Sequence, residues 1–316
     1  MARRIVVIGD VVVDAYYDSK NKKNREGSSP CYRVGRKDKK YRPGCAGNVA
    51  ANLMSLGSEC DLISVIGKDE NGNKLEKALG DLGIPSVLIR DSNWETIEKA
   101  RIIDKKDKRR HCRIDFEEED YNGVKQTHVK EIISNVIGKN YSYIVIPDYN
   151  KGMISRELID ELKKTGIPIL ADTKPNHIDF FKDVYLIKPN RDEVIEMTGI
   201  KNTPEAAREL RNRINTRILL TRGEEGISYF GLNGETDLHY PAHELGEVID
   251  PTGAGDSVMA AFVHYLEKGF TTDVCVKMAN RAGAEAVLRS GCYLATAKDL
   301  EGYLNCINVS EHPTSW

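Results

Sequence analysis

No run in the 316 residues approaches the ~18 consecutive apolar residues that a membrane-spanning helix needs. The start, Met1 to Ile8, has the basic flank of a secretory leader, but its apolar run is short and Gly9-Asp10 closes it like a strand entering a loop. No two cysteines form a C-x-x-C pair. The seven cysteines are odd in number and scattered from Cys31 to Cys306, which argues against a zinc site and a disulfide framework and places the chain in a reducing cytoplasm. No excess of one charge is present: 46 basic against 48 acidic residues leave a net charge of -2. With no recognisable nucleic-acid motif beside it, that balance disfavours a nucleic-acid role. Neither an internal repeat nor a low-complexity linker divides the chain. The expectation is a single α/β unit over 1–316 with an appendage.

What is present is a rhythm. Short, mostly β-branched runs, Ile5–Ile8, Leu62–Val65, Ile144–Ile146, Ile167–Leu170, Val184–Ile187 and Ile218–Thr221, are bounded by nearby Gly, Pro, Asp or Asn. Amphipathic stretches lie between them, at Asn73–Leu82, Val129–Ile137, Ser155–Lys164 and Pro204–Ile214. Strand alternating with helix predicts a mainly parallel sheet covered on both faces. Ligands of such sheets bind beyond the carboxyl ends of the strands. Gly9-Asp10, Asp148, Asp172, Lys188-Pro189-Asn190 and Thr221-Arg222-Gly223 therefore belong on one edge.

Two stretches break the rhythm. Tyr16 to Arg42 is polar and strongly basic, with Lys20, Lys22, Lys23, Arg25, Arg33, Arg36, Lys37, Lys39, Lys40 and Arg42. Thr96 to Phe116 alternates with period two around a charged turn and carries Lys105, Lys106, Lys108, Arg109, Arg110 and Arg113. The second reads as an antiparallel hairpin. Together they predict a small inserted β-sheet, a lid built from about 15–43 and 96–117; the alternative is two surface loops. Cys306 to Trp316 read as a loose tail.

The chemistry concentrates in Asp250-Pro-Thr252-Gly253-Ala254-Gly255-Asp256-Ser257, followed by an apolar run long enough for a buried helix. Uncovered amides at a helix N-terminus attract an anion. A carboxylate at Asp256 would stand beside that anion, as transfer of a phosphoryl group to a hydroxyl requires. The plainer alternative is a glycine turn with Asp250 or Asp256 as an N-cap. Asp14 could hold two sugar hydroxyls or cap its own loop. Gly44 to Leu53 opens a helix with small residues, among them Asn48, and suits either ligand approach or close packing. Asn190 and Glu193 have capping-box spacing, while Lys188 could meet a phosphate and Glu193 a magnesium-bound water. Lys151 and Lys174, each just past a strand end, suit an anionic substrate or open solvent.

In this order and spacing, Gly44–Asn48, Val65-Ile-Gly-Lys-Asp69, Asn190-x-x-Glu193, Thr221-Arg-Gly-x-x-Gly226 and Asp250-x-Thr-Gly-Ala-Gly-Asp256 resemble the ribokinase-like (PfkB-type) carbohydrate kinases over nearly the whole chain. Ile8-Gly-Asp-Val11, Arg42-Pro-Gly44, Arg113-Ile-Asp-Phe-Glu117 and Asp148-Tyr-x-Lys-Gly152 are most similar to the heptose-phosphate kinases, the kinase half of bacterial ADP-heptose synthases. The resemblance implies a three-layer α/β/α fold and transfer of the ATP γ-phosphate to the anomeric hydroxyl of a heptose 7-phosphate. It implies Asp256 as base and the amides of Gly253, Ala254 and Gly255 as anion hole. Asn190 and Glu193 would organise magnesium, and Lys188, Thr221, Gly223, Gly226 and Asn280 would line the nucleotide. Asp14, Gly44 and Asn48 would hold the sugar, Lys151 and Lys174 its phosphate, and Asp250 and Thr252 a monovalent cation such as potassium. A homodimer through the lid is expected. The pattern departs at Cys45, where the family usually has a second glycine. No His-x-Gly-His is present, so a kinase without a nucleotidyltransferase partner domain is expected. The alternatives are a hexose-phosphate or free-sugar kinase, and a non-catalytic nucleotide- or sugar-binding regulator.

Overall fold

The computed structural model describes residues 4–22, 31–106, 110–117, 123–243, 246–289 and 291–307. Of the basic residues noted above, Lys23, Arg25, Lys108 and Arg109 lie outside them, as do 308–316 of the expected tail. The large sheet uses β1 (Arg4–Ile8), β4 (Cys60–Gly67), β5 (Ser86–Asp91), β8 (Tyr141–Pro147), β9 (Ile169–Asp172), β10 (Leu186–Ile187), β11 (Arg217–Thr221), β12 (Ile227–Phe230) and β13 (Leu238–Tyr240). Its order is β13-β12-β11-β10-β9-β8-β1-β4-β5. Pairing is parallel from β5 to β11 and antiparallel for the β11–β12–β13 edge.

Helices α1 (Ala46–Leu56), α2 (Glu70–Asp81), α3 (Gln126–Val136), α4 (Arg156–Lys164), α5 (Arg191–Thr198), α6 (Thr203–Ile214), α7 (Ala254–Glu267), α8 (Thr272–Val287) and α9 (Ala297–Cys306) cover the sheet. The period-two alternation of β1 shows how. Ile5 and Val7 enter one core cluster, with residues of α1, α2, α7 and α8. Val6 and Ile8 enter the other, with residues of α3 to α6. A strand apolar on both faces needs such double cover. Local signals start the helices: Ser155 caps α4 by accepting from the Leu158 amide (3.2 Å), and Asn202 caps α6 from the Glu205 amide (3.1 Å). Among the described residues no helix is long and apolar enough to cross a membrane.

The second sheet is β3-β2-β6-β7, from β2 (Val11–Lys22), β3 (Cys31–Cys45), β6 (Glu98–Asp104) and β7 (Arg110–Phe116). β6 and β7 form the expected antiparallel hairpin, and β2 joins β6 in parallel. The small sheet reaches further than 15–43 at both ends. Asp14 is inside β2 rather than in a loop, and Gly44 pairs with Val12 in the same sheet. The chain turns directly from Cys45 into α1, so the helix starts at Ala46 and not at Gly44. Ahead of the expected tail, α9 runs to Cys306, with Thr296 and Asp299 capping its start reciprocally.

Candidate active site

The predicted edge clusters do converge, because β1, β8, β9, β10 and β11 are parallel neighbours. Asp10, just after β1, is buried and accepts from the amides of Tyr149 (2.8 Å), Lys151 (3.2 Å) and Met153 (3.0 Å). It thereby shapes the loop that follows β8. Burial, reinforced by the nearby Asp148, pushes its pKa up to about 6 against those three amides.

The glycine-rich turn leads into α7. Gly253 is left-handed (φ 82°), and a Cβ there would stand 2.9 Å from Asn48 Nδ2. Both facts require glycine. Asp250 Oδ1 accepts from the Thr252 amide (3.0 Å) and hydroxyl (2.6 Å), and Oδ2 accepts from the Gly291 amide (3.0 Å). Asp250 is thus the turn-shaping carboxylate. Asp256 does not cap α7 with its side chain. The Ala254 amide closes onto the Pro251 carbonyl (3.2 Å). The amides of Gly253, Gly255 and Asp256 have no acceptor among the described residues, and an anion would satisfy them.

Asp256, in the first turn of α7, is 5% exposed. Asn48 Nδ2 donates to its Oδ2 (2.6 Å), and the Tyr149 hydroxyl donates to its Oδ1. Burial pushes its pKa up to about 6; the bonds from Asn48 and Tyr149 oppose the rise, Asp172 adds to it and Lys188 lowers it. Lys188, just past β10 and 3% exposed, pairs with Asp172 Oδ2 (2.8 Å). Its Nζ is 3.3 Å from where a Cβ of Gly255 would be. A buried cation therefore stands at the helix N-terminus with the unpaired amides, and Gly255 leaves room for it. A carboxylate near neutrality beside such a cradle can take a proton while the cradle holds an anion.

The sugar-facing candidates gather next to this cradle. Asp14 is buried and bonded to Arg101, and Cys292 Sγ lies 3.6 Å from its Oδ2. A side chain at Gly44 would run into the Asp14 carboxylate at 2.6 Å. Cys45 holds φ 55°, backbone that favours glycine, which explains why glycine is usual at this place in the resembling kinases. Arg101 is 4% exposed, and its Nε has no partner among the described residues. The alternation of Thr96–Phe116 contained Arg101 without distinguishing it. Tyr149 was also missed as a site residue; its position between Asp148 and Lys151 was the available signal.

Asn190 and Glu193 form the capping box of α5, with Glu193 N to Asn190 Oδ1 and Asn190 N to Glu193 Oε2 both at 2.9 Å. Lys174 Nζ pairs with Glu193 Oε1 (2.6 Å) and lies over the Tyr149 ring (5.7 Å). Lys151 pairs with Glu117 (2.8 Å). Asn190 bridges to Thr221, whose chain turns through Gly223 and Gly226, both with positive φ. Asn280, on α8, donates to the Pro241 carbonyl (2.7 Å) beyond β13.

Fold and site together define a ribokinase-like kinase that phosphorylates a small hydroxylated molecule. The model of the pfkB family carbohydrate kinases matches residues 2–299, and the chain belongs to that family. It is 33% identical over 312 residues to the bifunctional protein HldE of Campylobacter curvus, covering 95% of this chain and 64% of that one. It is 30% identical over 311 residues to the D-beta-D-heptose 7-phosphate kinase of Bordetella bronchiseptica, covering 95% of each. Among solved structures, phosphofructokinase-2 from Escherichia coli in complex with potassium superposes with a TM-score of 0.79 at 19% identity, covering 96% of this chain and 100% of that one. This likeness shows the fold.

Proposed function

We propose that the protein transfers the γ-phosphate of ATP to the anomeric hydroxyl of D-glycero-D-manno-heptose 7-phosphate, giving the 1,7-bisphosphate. The observation that carries the reading is the buried Asp256 beside the unpaired amides and Lys188 at the start of α7. Similarity to the heptose 7-phosphate kinase along 95% of both chains supports the acceptor. As the acceptor oxygen forms its bond to the γ-phosphorus, Asp256 takes the hydroxyl proton. The bond from that phosphorus to the bridging oxygen breaks, and ADP leaves. Lys188 and the amides of Gly253 and Gly255 stabilise the charge on the transferred group. Thr221, Gly223, Gly226 and Asn280 line the nucleotide.

Magnesium would supply neutralisation of the phosphate charge. Glu193, with one hydrogen bond on each oxygen, keeps lone pairs for a magnesium-bound water, with Asn190 beside it. Asp250 and Thr252 shape the turn of the cradle, and with the acceptor capacity left on that carboxylate they would be the place for a monovalent cation such as potassium. Asp14, Gly44 and Asn48 hold the sugar. Lys151 and Lys174 would have to exchange their glutamates for the acceptor's phosphate.

The test is turnover with ATP across a panel of free sugars, hexose phosphates and heptose 7-phosphate. The expected result is turnover of heptose 7-phosphate with the highest kcat/KM. Turnover of hexose phosphates alone would reject the acceptor, and tight binding without turnover would favour a regulator.

The chain would act as one kinase domain over 1–316, with the small sheet as its lid. Ile114 and Phe116 of β7 are exposed apolar residues (48% and 58%) on an edge strand, which suits a homodimer joined through that sheet. Equilibrium sedimentation is expected to show a dimer; a monomer at micromolar concentration would reject this arrangement.

A further inference from the structure

The side chain that touches Asp256 from across the site is Tyr149, and neither the turn of α7 nor the sugar segment explains why it is there. Its backbone amide is fixed by Asp10 (2.8 Å). Asn150, the next residue, takes a left-handed φ of 56° and donates its amide to Asp148 (2.9 Å). The Tyr149 ring packs on Val12, Cys45 and Ile97, with Lys174 Nζ 5.7 Å from its centroid. Strand end, small sheet and ammonium group therefore define where the hydroxyl goes. It goes to Asp256 Oδ1, while Asn48 occupies Oδ2.

We propose that Tyr149 is a positioning residue for phosphoryl transfer: with Asn48 it clamps the plane of the Asp256 carboxylate, one donor on each oxygen. A carboxylate offers about four acceptor positions, so the clamp leaves acceptor capacity for the incoming hydroxyl while removing rotation of the group. Reactions of this kind are sensitive to small misplacements of the reacting groups. The clamp also favours the charged, proton-accepting form of Asp256. Other groups set the field on that carboxylate: Asp172 at the end of β9, Lys188 just past β10, Cys45 at the end of β3, and Cys292 after α8. None of these donates a hydrogen bond to Asp256 among the described residues. The inference rests on Asp256 being the base.

The experiment is Tyr149→Phe, followed through kcat, both KM values and the pH profile, with Asp256→Asn alongside. Losing a hydrogen bond to a charged group is expected to lower kcat about ten- to a hundredfold. KM for ATP should stay within twofold. The acid limb of kcat should move upward by about one pH unit, because a donor that favoured the carboxylate is gone. A second measurement uses 3-fluorotyrosine at position 149, a stronger donor of nearly the same shape. It should move the limb downward and keeps the inference testable if the phenylalanine variant folds poorly. An acid limb unmoved in both variants would overturn the proposal, whatever happens to kcat, since a merely structural tyrosine would leave it in place. If Asp256→Asn retains near-normal kcat, the base assignment itself fails. If Asp256→Asn is inactive and both Tyr149 variants behave as wild type, only the clamp fails.

Discussion

Asp256→Asn lowers kcat by roughly 10²–10⁴, the usual scale for a lost general base, while ATP still binds. The amide keeps the shape of the carboxylate but cannot accept the proton of the acceptor hydroxyl. The cradle amides and Lys188 do not depend on the side chain at 256, so nucleotide affinity, read by titration calorimetry, should be close to wild type. Stability should move the other way. The Asp256 pKa is raised by burial to about 6 from an ordinary 3.8, so folding favours the protonated form. This group's contribution is fully present below pH 3.8 and is lost as pH rises through 6. At pH 7 the buried charge costs about 3 kcal/mol, which a neutral side chain avoids. The variant should therefore melt at or above the wild-type temperature at pH 7, with the advantage shrinking towards pH 4. Wild-type kcat should fall below pH 6 for the same reason. A near-normal kcat in the variant would leave the base unassigned, and a variant less stable at pH 7 than at pH 5 relative to wild type would contradict the burial argument.

Such sites are partly legible before any coordinates. The strand-then-polar pattern located Asp10, Asp148, Asp172, Lys188 and Thr221, because in a parallel sheet every strand end faces the same edge. The spacing Asn190-x-x-Glu193 gave the capping box as such, since a box is local and its geometry follows from helix periodicity alone. What could not be read was pairing across the chain. Asp14 and Arg101 are far apart in sequence and meet only because β2 lies parallel to β6. Lys174 and Lys151 suited an anionic substrate or open solvent, yet each finds a glutamate set by tertiary packing. Tyr149 was hidden for a related reason. Its role depends on the three amides held by Asp10, and hydrogen bonds to backbone leave no mark in the identity of the residues that make them.

Lys188→Met should separate two functions of one buried ammonium. As a phosphate ligand, its loss is expected to lower kcat/KM for ATP by about 10²–10³, the scale for removing one preorganised donor from developing charge. As the partner of Asp172, its loss strands a buried carboxylate. Breaking a buried pair by removing one member costs about 3–5 kcal/mol, less here where Asp172 can take up a proton. Burial already raises the Asp172 pKa, against the pull of Lys188. Without the lysine it rises further, so the variant's deficit in melting temperature should widen with pH and narrow in acid. Adding Asp172→Asn removes the stranded charge, and the double variant should regain most of the stability while remaining as inactive as the single one. Lys188→Arg should not restore activity, because the Lys188 ammonium already lies 3.3 Å from the place of a Cβ on Gly255, and a planar guanidinium needs more room than that. If the double variant recovered turnover along with stability, the lysine would be a structural counter-ion for Asp172 and the cradle would have to rely on its amides alone.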